Sequence, residues 1–290
     1  MPHWQHLFSV LREHDIHVSD QDMPRPVTGG DISAAWCVNA ADRQVFLKTG
    51  PVSSYAAFAA EAQGLRELAG ASALRVPRVL GCVRSGNESL LALEWIELEL
   101  ASPRTEQLLG VRLAELHRVR SERFGFHGDN MIGATPQLNQ WSDDWVTFYA
   151  EQRIRFQLDL AARNGFTGTL QVDGHRLAEN VGAFFKDYWP EASLLHGDLW
   201  GGNWAACDGE PVIFDPAVYY GDRETDIAMT KLFGGFGNEF YTAYEEAWPL
   251  DTGHEARIAL YQLYHVLNHL NLFGAAYLGR AESLISRLLR

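Results

Sequence analysis

In the stretch LLHGDLWGGNWAACDGEPVIFDP, which ends at Pro216, the acid Asp198 precedes Asn203 by five residues, with Gly201 and Gly202 between them. A second acid, Asp215, follows the apolar run 212–214, which reads as a strand. Phosphoryl transfer needs a carboxylate beside the acceptor hydroxyl and oxygen ligands on the metals that bridge the phosphates. Asp198 and Asn203 have the spacing for a loop of that kind, and Asp215 stands where the further metal-binding acid belongs.

Such a loop needs elements that hold a phosphate chain. Residues 27–39 and 44–48 read as two strands joined by a turn at 40–43, and a bend at Gly29-Gly30 offers bare backbone N–H groups to a phosphate. Lys48 ends the second strand; alternation sets Val45 and Leu47 on one face, Phe46 and Lys48 on the other. Residues 53–70 form a helix capped by Ser53 or Ser54 and stopped at Gly70. Its face carries Phe58, Leu65 and Leu68 together with Glu61, while Glu67 points elsewhere. A carboxylate in an apolar stripe wants a cation, and Lys48 is the candidate; the alternative sets Glu61 at the stripe's border. Strands at 77–81 and 89–93 follow, the latter running into Glu94-Trp95-Ile96-Glu97. In a two-lobed kinase this last segment is the hinge, whose backbone holds adenine; otherwise it is an ordinary strand end.

The remaining elements are mostly helical. Periodicity predicts helices at 3–14, 105–117, 144–162, 177–188 and 256–278, the last being the final helix. His117 reads as a packed or capping residue. Residues 124–145, rich in Gly, Asn, Asp and Trp, read as a long ordered loop. Asp222 and Asp226 read as capping or loop-tying acids, and Asp226 is expected to hold the loop of Asp198 through backbone N–H groups. His265, Asn268 and His269 share a face of the final helix; they line a substrate cleft or are hydrogen-bonded in the core.

Composition narrows the partners. A formal charge of −13 argues against nucleic acid or an anionic membrane surface. A hydrophobic fraction of 47% supplies a core, yet no apolar run is long enough for a bilayer. The charged N-terminal stretch does not read as a secretory signal. Cys37, Cys82 and Cys207 are widely spaced, which suits a reducing, cytoplasmic setting and makes Asn87-Glu88-Ser89 a chance glycosylation match.

The HGDLWGGN and DPAVYYGDRETD motifs, with NMIGATPQLN and the C-terminal YQLYHVLNHLNLFG, resemble the fructosamine kinase (ketosamine 3-kinase) family over nearly the whole chain. The resemblance implies an α+β, bilobal protein-kinase-like fold. Residues 1–96 would be a small β-rich lobe with one main helix, and 97–290 a larger, mostly helical lobe. It implies ATP and Mg²⁺ as cofactors and a ketosamine, free or on a protein lysine, as acceptor at its 3-hydroxyl. The unstable phosphorylated product would release the amine. Asp198 takes the place of the base, expected to be ionised at neutral pH without an unusual pKa. Asn203 and Asp215 take the magnesium positions; Lys48 holds the α- and β-phosphates, Glu61 holds Lys48, and Gly29, Gly30 and Ser33 cover the phosphates. Glu94 and Ile96 would receive adenine. Trp200, two residues after Asp198, is expected to stack on the sugar, with His269 a further acceptor contact. Redox control through the glycine loop is not expected, since residues 30–33 hold no cysteine. A kinase for an aminoglycoside or a choline-like amine, or a nucleotide-binding pseudokinase, are the alternatives; together Lys48, Asp198, Asn203 and Asp215 weigh against the last.

Overall fold

The computed structural model describes residues 4–18, 23–27 and 34–290. The expectations for Gly29, Gly30 and Ser33 lie outside the described residues.

Alternation in the N-terminal third builds a five-stranded antiparallel sheet. Its strands are β1 (Arg25–Val27), β2 (Ala34–Asn39), β3 (Gln44–Pro51), β4 (Val79–Ser85) and β5 (Glu88–Glu94), in the order β1-β2-β3-β5-β4. β1 and β2 are separate strands where one was expected at 27–39. α1 (Trp4–Glu13) lays Leu7, Phe8 and Leu11 against Val38, Val45, Leu47, Leu90 and Ala92 on one face of the sheet. α2 (Tyr55–Ala71) packs on the other face, and its Phe58, Leu65 and Leu68 join Leu91 and Leu93 in a second cluster. That cluster continues without a break into the helical part of the chain. Lys48 does not end its strand: β3 runs on to Pro51, and Lys48 pairs with Ala35 on one side and Leu91 on the other. Likewise α2 passes Gly70 and stops only at Ser72, whose φ of 56° turns the chain out of the helix.

α3 (Pro103–His117) begins with a reciprocal Ser102–Thr105 cap and proline in its first turn. The expected 124–145 loop contains a hairpin, β6 (Asn130–Ile132) and β7 (Thr135–Gln137), because its amide side chains find buried partners. Asp144 caps α4 (Trp145–Tyr149) by accepting from the Thr147 N–H at 2.7 Å. A π-helical turn, Ala150–Arg155, separates α4 from α5 (Phe156–Arg163), so the 144–162 helix is not uniform.

The helix expected at 177–188 is displaced. α6 (Thr169–Glu179) precedes a 3₁₀ turn at Val181–Phe185, and its buried face includes Gly174, closed over by Leu158, a position that periodicity does not score as apolar. β8 (Ser193–Leu195) pairs with β11 (Tyr219–Gly221), and between them β9 (Trp204–Cys207) pairs with β10 (Glu210–Ile213). α7 (Glu224–Phe233), α8 (Asn238–Ala247), α9 (His254–Phe273) and α10 (Leu278–Leu288) complete the chain. The helix expected at 256–278 is not the final one: Gly274, at φ 84°, ends α9, and α10 follows.

Candidate active site

The pairing of Leu195 with Tyr219 brings two chain segments side by side, residues 196–198 leaving β8 and residues 215–217 entering β11. The two are stitched together. The Ala217 N–H donates to the His196 carbonyl (2.9 Å), and the His196 Nε2–H donates to the Phe214 carbonyl (3.0 Å). His196 Nδ1 accepts the Asp198 N–H (3.3 Å), and burial holds the ring neutral. Gly197 has φ 82° and lies so close to Ala217 that a Cβ there would meet its carbonyl oxygen at 2.0 Å. Only glycine fits this crossing.

Asp226 anchors this loop from below, as its place in the sequence suggests. Its carboxylate accepts the N–H groups of His196 (2.8 Å) and Gly197 (2.9 Å) and meets His117 Nε2 at 3.2 Å. Burial opposes the charge, but the His117 hydrogen bond and the Gly197 N–H, among other contributions, outweigh it and hold Asp226 below the usual carboxylate range. His117 is fully buried, with Nδ1 on the Tyr244 hydroxyl (2.8 Å).

Five of the expected residues come together. Lys48 reaches Glu61 at 2.8 Å and Asp215 at 2.7 Å. Burial works against the ammonium, yet the carboxylates of Glu61 and Asp215 keep it above its ordinary pKa. Burial pushes Glu61 up, opposed by Lys48. Asp215 adopts φ 55°, rare for a residue with a side chain, and its carboxylate is 39% exposed. Asn203 donates through Nδ2 to the Asp198 carbonyl (2.8 Å) and, more weakly, to the Asp198 carboxylate (3.4 Å), and its own backbone carbonyl accepts the Phe214 N–H (3.0 Å).

Asp198 departs from the sequence expectation. Its carboxyl is pushed up to about 7 by burial, then by the charges of Asp215 and Asp226, against a lowering hydrogen bond from Asn203. An acid poised near neutrality is better matched to accepting a proton than one with an ordinary pKa.

The Asp215 carboxylate and the Asn203 amide oxygen are hard donors of the kind Mg²⁺ prefers. Among the described residues no group of three or more His, Cys, Asp and Glu side chains could hold a metal ion alone. The pair therefore fits a cation whose other ligands are phosphate and water.

Glu94 is the last residue of β5. Its N–H donates to the Arg78 carbonyl (2.8 Å), and its carboxylate meets Arg75 (3.3 Å) and the Arg78 N–H (3.2 Å). Arg75 also bridges to β10 through Val212, and Glu99 to β9 through Ala206, so the half-buried Ile96 lies in a connection beside the hairpin that leads to Asp215. Trp200 is 37% exposed, and its ring lies on Gly202, where a Cβ would meet it at 2.4 Å. His269 stands apart from the five residues, in an aromatic group with Phe233 (4.6 Å between ring centres), Phe273 and Tyr277. Phe233 directly precedes Gly234-Gly235, which pack on Gly201, so this group borders the loop of Asp198. Of its neighbours on the α9 face, Asn268 is buried and bonded to Thr135 and Gln157, the core alternative for that stripe.

Arg153 was not singled out from the sequence. Fully buried in the π turn, it stacks on Tyr219 (4.2 Å) and Phe148 (4.7 Å) and donates to Asn139 (2.8 Å). An arginine in the middle of a helix gives no sequence signal of such a role.

A sheet with a helix on each face, carrying a Lys–Glu–Asp contact over an Asp–Asn loop on a helical base, defines a phosphotransferase of the protein-kinase-like class. The fructosamine kinase family model matches residues 3–290. A protein named probable ketoamine kinase from Synechocystis sp. is 42% identical over 92% of this chain and 90% of its own. A chloroplastic protein-ribulosamine 3-kinase from Oryza sativa subsp. indica is 41% identical over 91% of this chain and 78% of its own. A crystal structure from Haemophilus somnus, provisionally named a fructosamine-3-kinase, superposes with a TM-score of 0.90 at 29% identity, covering 99% of this chain and 98% of the other. The chain belongs to the fructosamine kinase family and is a kinase.

Proposed function

We propose that the protein is an ATP- and Mg²⁺-dependent kinase that phosphorylates the 3-hydroxyl of ketosamines, as small molecules or on glycated protein lysines, and so initiates deglycation. The observation that carries this reading is Lys48 held between Glu61 and Asp215 beside the Asp198–Asn203 loop. Residues 1–96 serve the nucleotide: Lys48 binds its phosphates, the backbone of Glu94 and Ile96 receives adenine, and Gly29, Gly30 and Ser33 cover the phosphate chain. Residues 97–290 carry the loop of Asp198 and the acceptor site. Asn203 and Asp215 would hold Mg²⁺, which would supply charge neutralisation on the phosphates. Asp198 orients the acceptor hydroxyl and takes its proton. The freed oxygen then forms a bond to the γ-phosphorus, and the bond to the ADP oxygen breaks with its electrons going to ADP.

The partly exposed Trp200 and the Phe233–His269 group form the wall against which the sugar and its amine lie. Cys37, Cys82 and Cys207 are free thiols, which supports a cytoplasmic setting, and the formal charge of −13 supports neither nucleic acid nor membrane as partner.

Mg²⁺-dependent phosphorylation of ribuloselysine, fructoselysine, an aminoglycoside and choline tests the reading. Phosphate on a ketosamine followed by release of lysine supports it; turnover of only the last two overturns the acceptor assignment. Trp200→Ala is expected to lower kcat/KM for the ketosamine about three- to tenfold with ADP affinity unchanged. Loss of ADP binding in that variant would refute the wall.

A further inference from the structure

Asp198 and Asp215 lie on different segments, yet the proposed chemistry needs them at a fixed separation. Asp215 is the weak point, because a residue with a side chain at φ 55° is held there by its surroundings. Upstream, Phe214 is fastened through both its N–H and its carbonyl. The Asp215 carbonyl itself takes only a long 3.5 Å bond from Asn203 Nδ2, so the first close fastening downstream is Ala217, whose N–H is held by His196 and whose carbonyl accepts the Gln137 Nε2–H at 2.9 Å. Asn130 does the same for the next carbonyl, Val218, at 2.8 Å.

Gln137 and Asn130 belong to the β6–β7 hairpin, to which the proposed reaction assigns no part. Gln137 is 1% exposed and uses both ends of its amide. Nε2 also donates to the Asn130 Oδ1 (2.9 Å), and Oε1 accepts the Tyr264 hydroxyl (2.8 Å). A buried amide with a partner missing is costly, so this set is stable only when complete. A complete set holds the Ala217 carbonyl at one place. The helix bearing Glu61 rests on the same strip, with Gly64 against Val218 and Pro216.

We propose that Gln137, supported by Asn130 and Tyr264, is a positioning residue for Asp215. By gripping the Ala217 carbonyl it keeps Asp215 in its left-handed conformation, with its carboxylate in register with Asn203 and Asp198. Without the grip, Asp215 relaxes toward extended backbone and its carboxylate turns away. The inference rests on the assignment of Asn203 and Asp215 to Mg²⁺ made above.

The test is calorimetric binding of ADP, in excess Mg²⁺ and in EDTA, to the wild type, Gln137→Met and Tyr264→Phe. In the wild type Mg²⁺ strengthens ADP binding. In Gln137→Met, whose side chain is close in size, that strengthening falls about tenfold, the effect expected when a group that orients a metal ligand is lost, while affinity in EDTA changes less than twofold. Tyr264→Phe moves in the same direction by about threefold, since it removes only one support of Gln137. A folded Gln137→Met with wild-type response to Mg²⁺ overturns the proposal, as does equal weakening with and without Mg²⁺. If Gln137→Met does not fold, an unchanged Mg²⁺ response in Tyr264→Phe overturns it. A wild type without any Mg²⁺ response refutes the metal assignment itself, which is a separate result.

Discussion

The stretch from Asp198 to Asp226 carries two groups of carboxylates in different circumstances. In the first, Asp198 is half-buried and Asp215 is 39% exposed, and Lys48, the partner of Asp215, comes from a distant strand. In the second, Asp222, Glu224 and Asp226 are buried and every one is met by donors. Asp222 accepts the hydroxyls of Tyr188 (2.9 Å) and Tyr261 (2.5 Å), Glu224 takes both arms of Arg257 at 2.8 Å, and Asp226 takes two backbone N–H groups and His117. Burial raises Asp222 as it raises Asp198. A raised pKa therefore does not separate the two groups; what separates them is whether the donors are already supplied from within the fold. The closed group is scaffolding, and the open group keeps capacity for a ligand.

Three experiments would break or sharpen this contrast. Asp198→Asn is expected to lower turnover about 10²- to 10⁴-fold, the span of general-base effects. It should also gain stability near pH 8. An acid whose folded pKa of about 7 lies above its unfolded value of 3.8 contributes stability below pH 4 and loses it as pH rises through 7. Removing it should therefore add roughly 2 kcal/mol at pH 8, after discounting for its contact with solvent, and little at pH 4. Denaturant unfolding at the two pH values checks the sign, and an unchanged rate would remove Asp198 from the reaction. In the closed group, Arg257→Met leaves Glu224 buried without its cation and should cost about 3–5 kcal/mol in unfolding experiments. Its kinetic constants per folded molecule should stay within about twofold; a selective loss of turnover there would erase the distinction. The smallest change is Tyr220→Phe, which removes the 2.7 Å bond to Glu67 that ties α2 to the strip after Asp215. About 1 kcal/mol of stability and a modest rise in KM for ATP are expected, read by thermal unfolding and steady-state kinetics.

The open group was legible in the chain because its members are either neighbours in sequence or mark strongly patterned elements. Asp198 and Asn203 share one loop, Asp215 ends an apolar run, Lys48 and Glu61 sit on an alternating strand and an amphipathic helix, and the fold brings them within hydrogen-bonding distance. Asp226 was legible for a similar reason, as an acid opening an apolar helix. The support of that group was not. Asn130, Gln137 and Asn139 look like loop residues until the strip before β11, Tyr264 of α9 and Arg153 are placed against them, since polar side chains in an aperiodic stretch give no sign of burial. The acidity of Asp198 was misjudged because burial is a tertiary property. The start of α6 was misplaced because Gly174 packs where a pattern looks for a large apolar residue.

The Lys48–Asp215 contact has a consequence for the supply of ions. The ammonium already neutralises the carboxylate that a divalent cation would use, so the free protein carries its own counterion at that position. On the proposed reading, loading the site would be an exchange: the lysine would turn from carboxylate to phosphate as the incoming ion took its place. A bare cation would leave the ammonium with Glu61 alone, whereas a cation arriving with a phosphate chain would bring a second anion for it. Under the proposed assignment the arrangement would favour the metal–nucleotide complex over the free metal, and would do so with a single side chain.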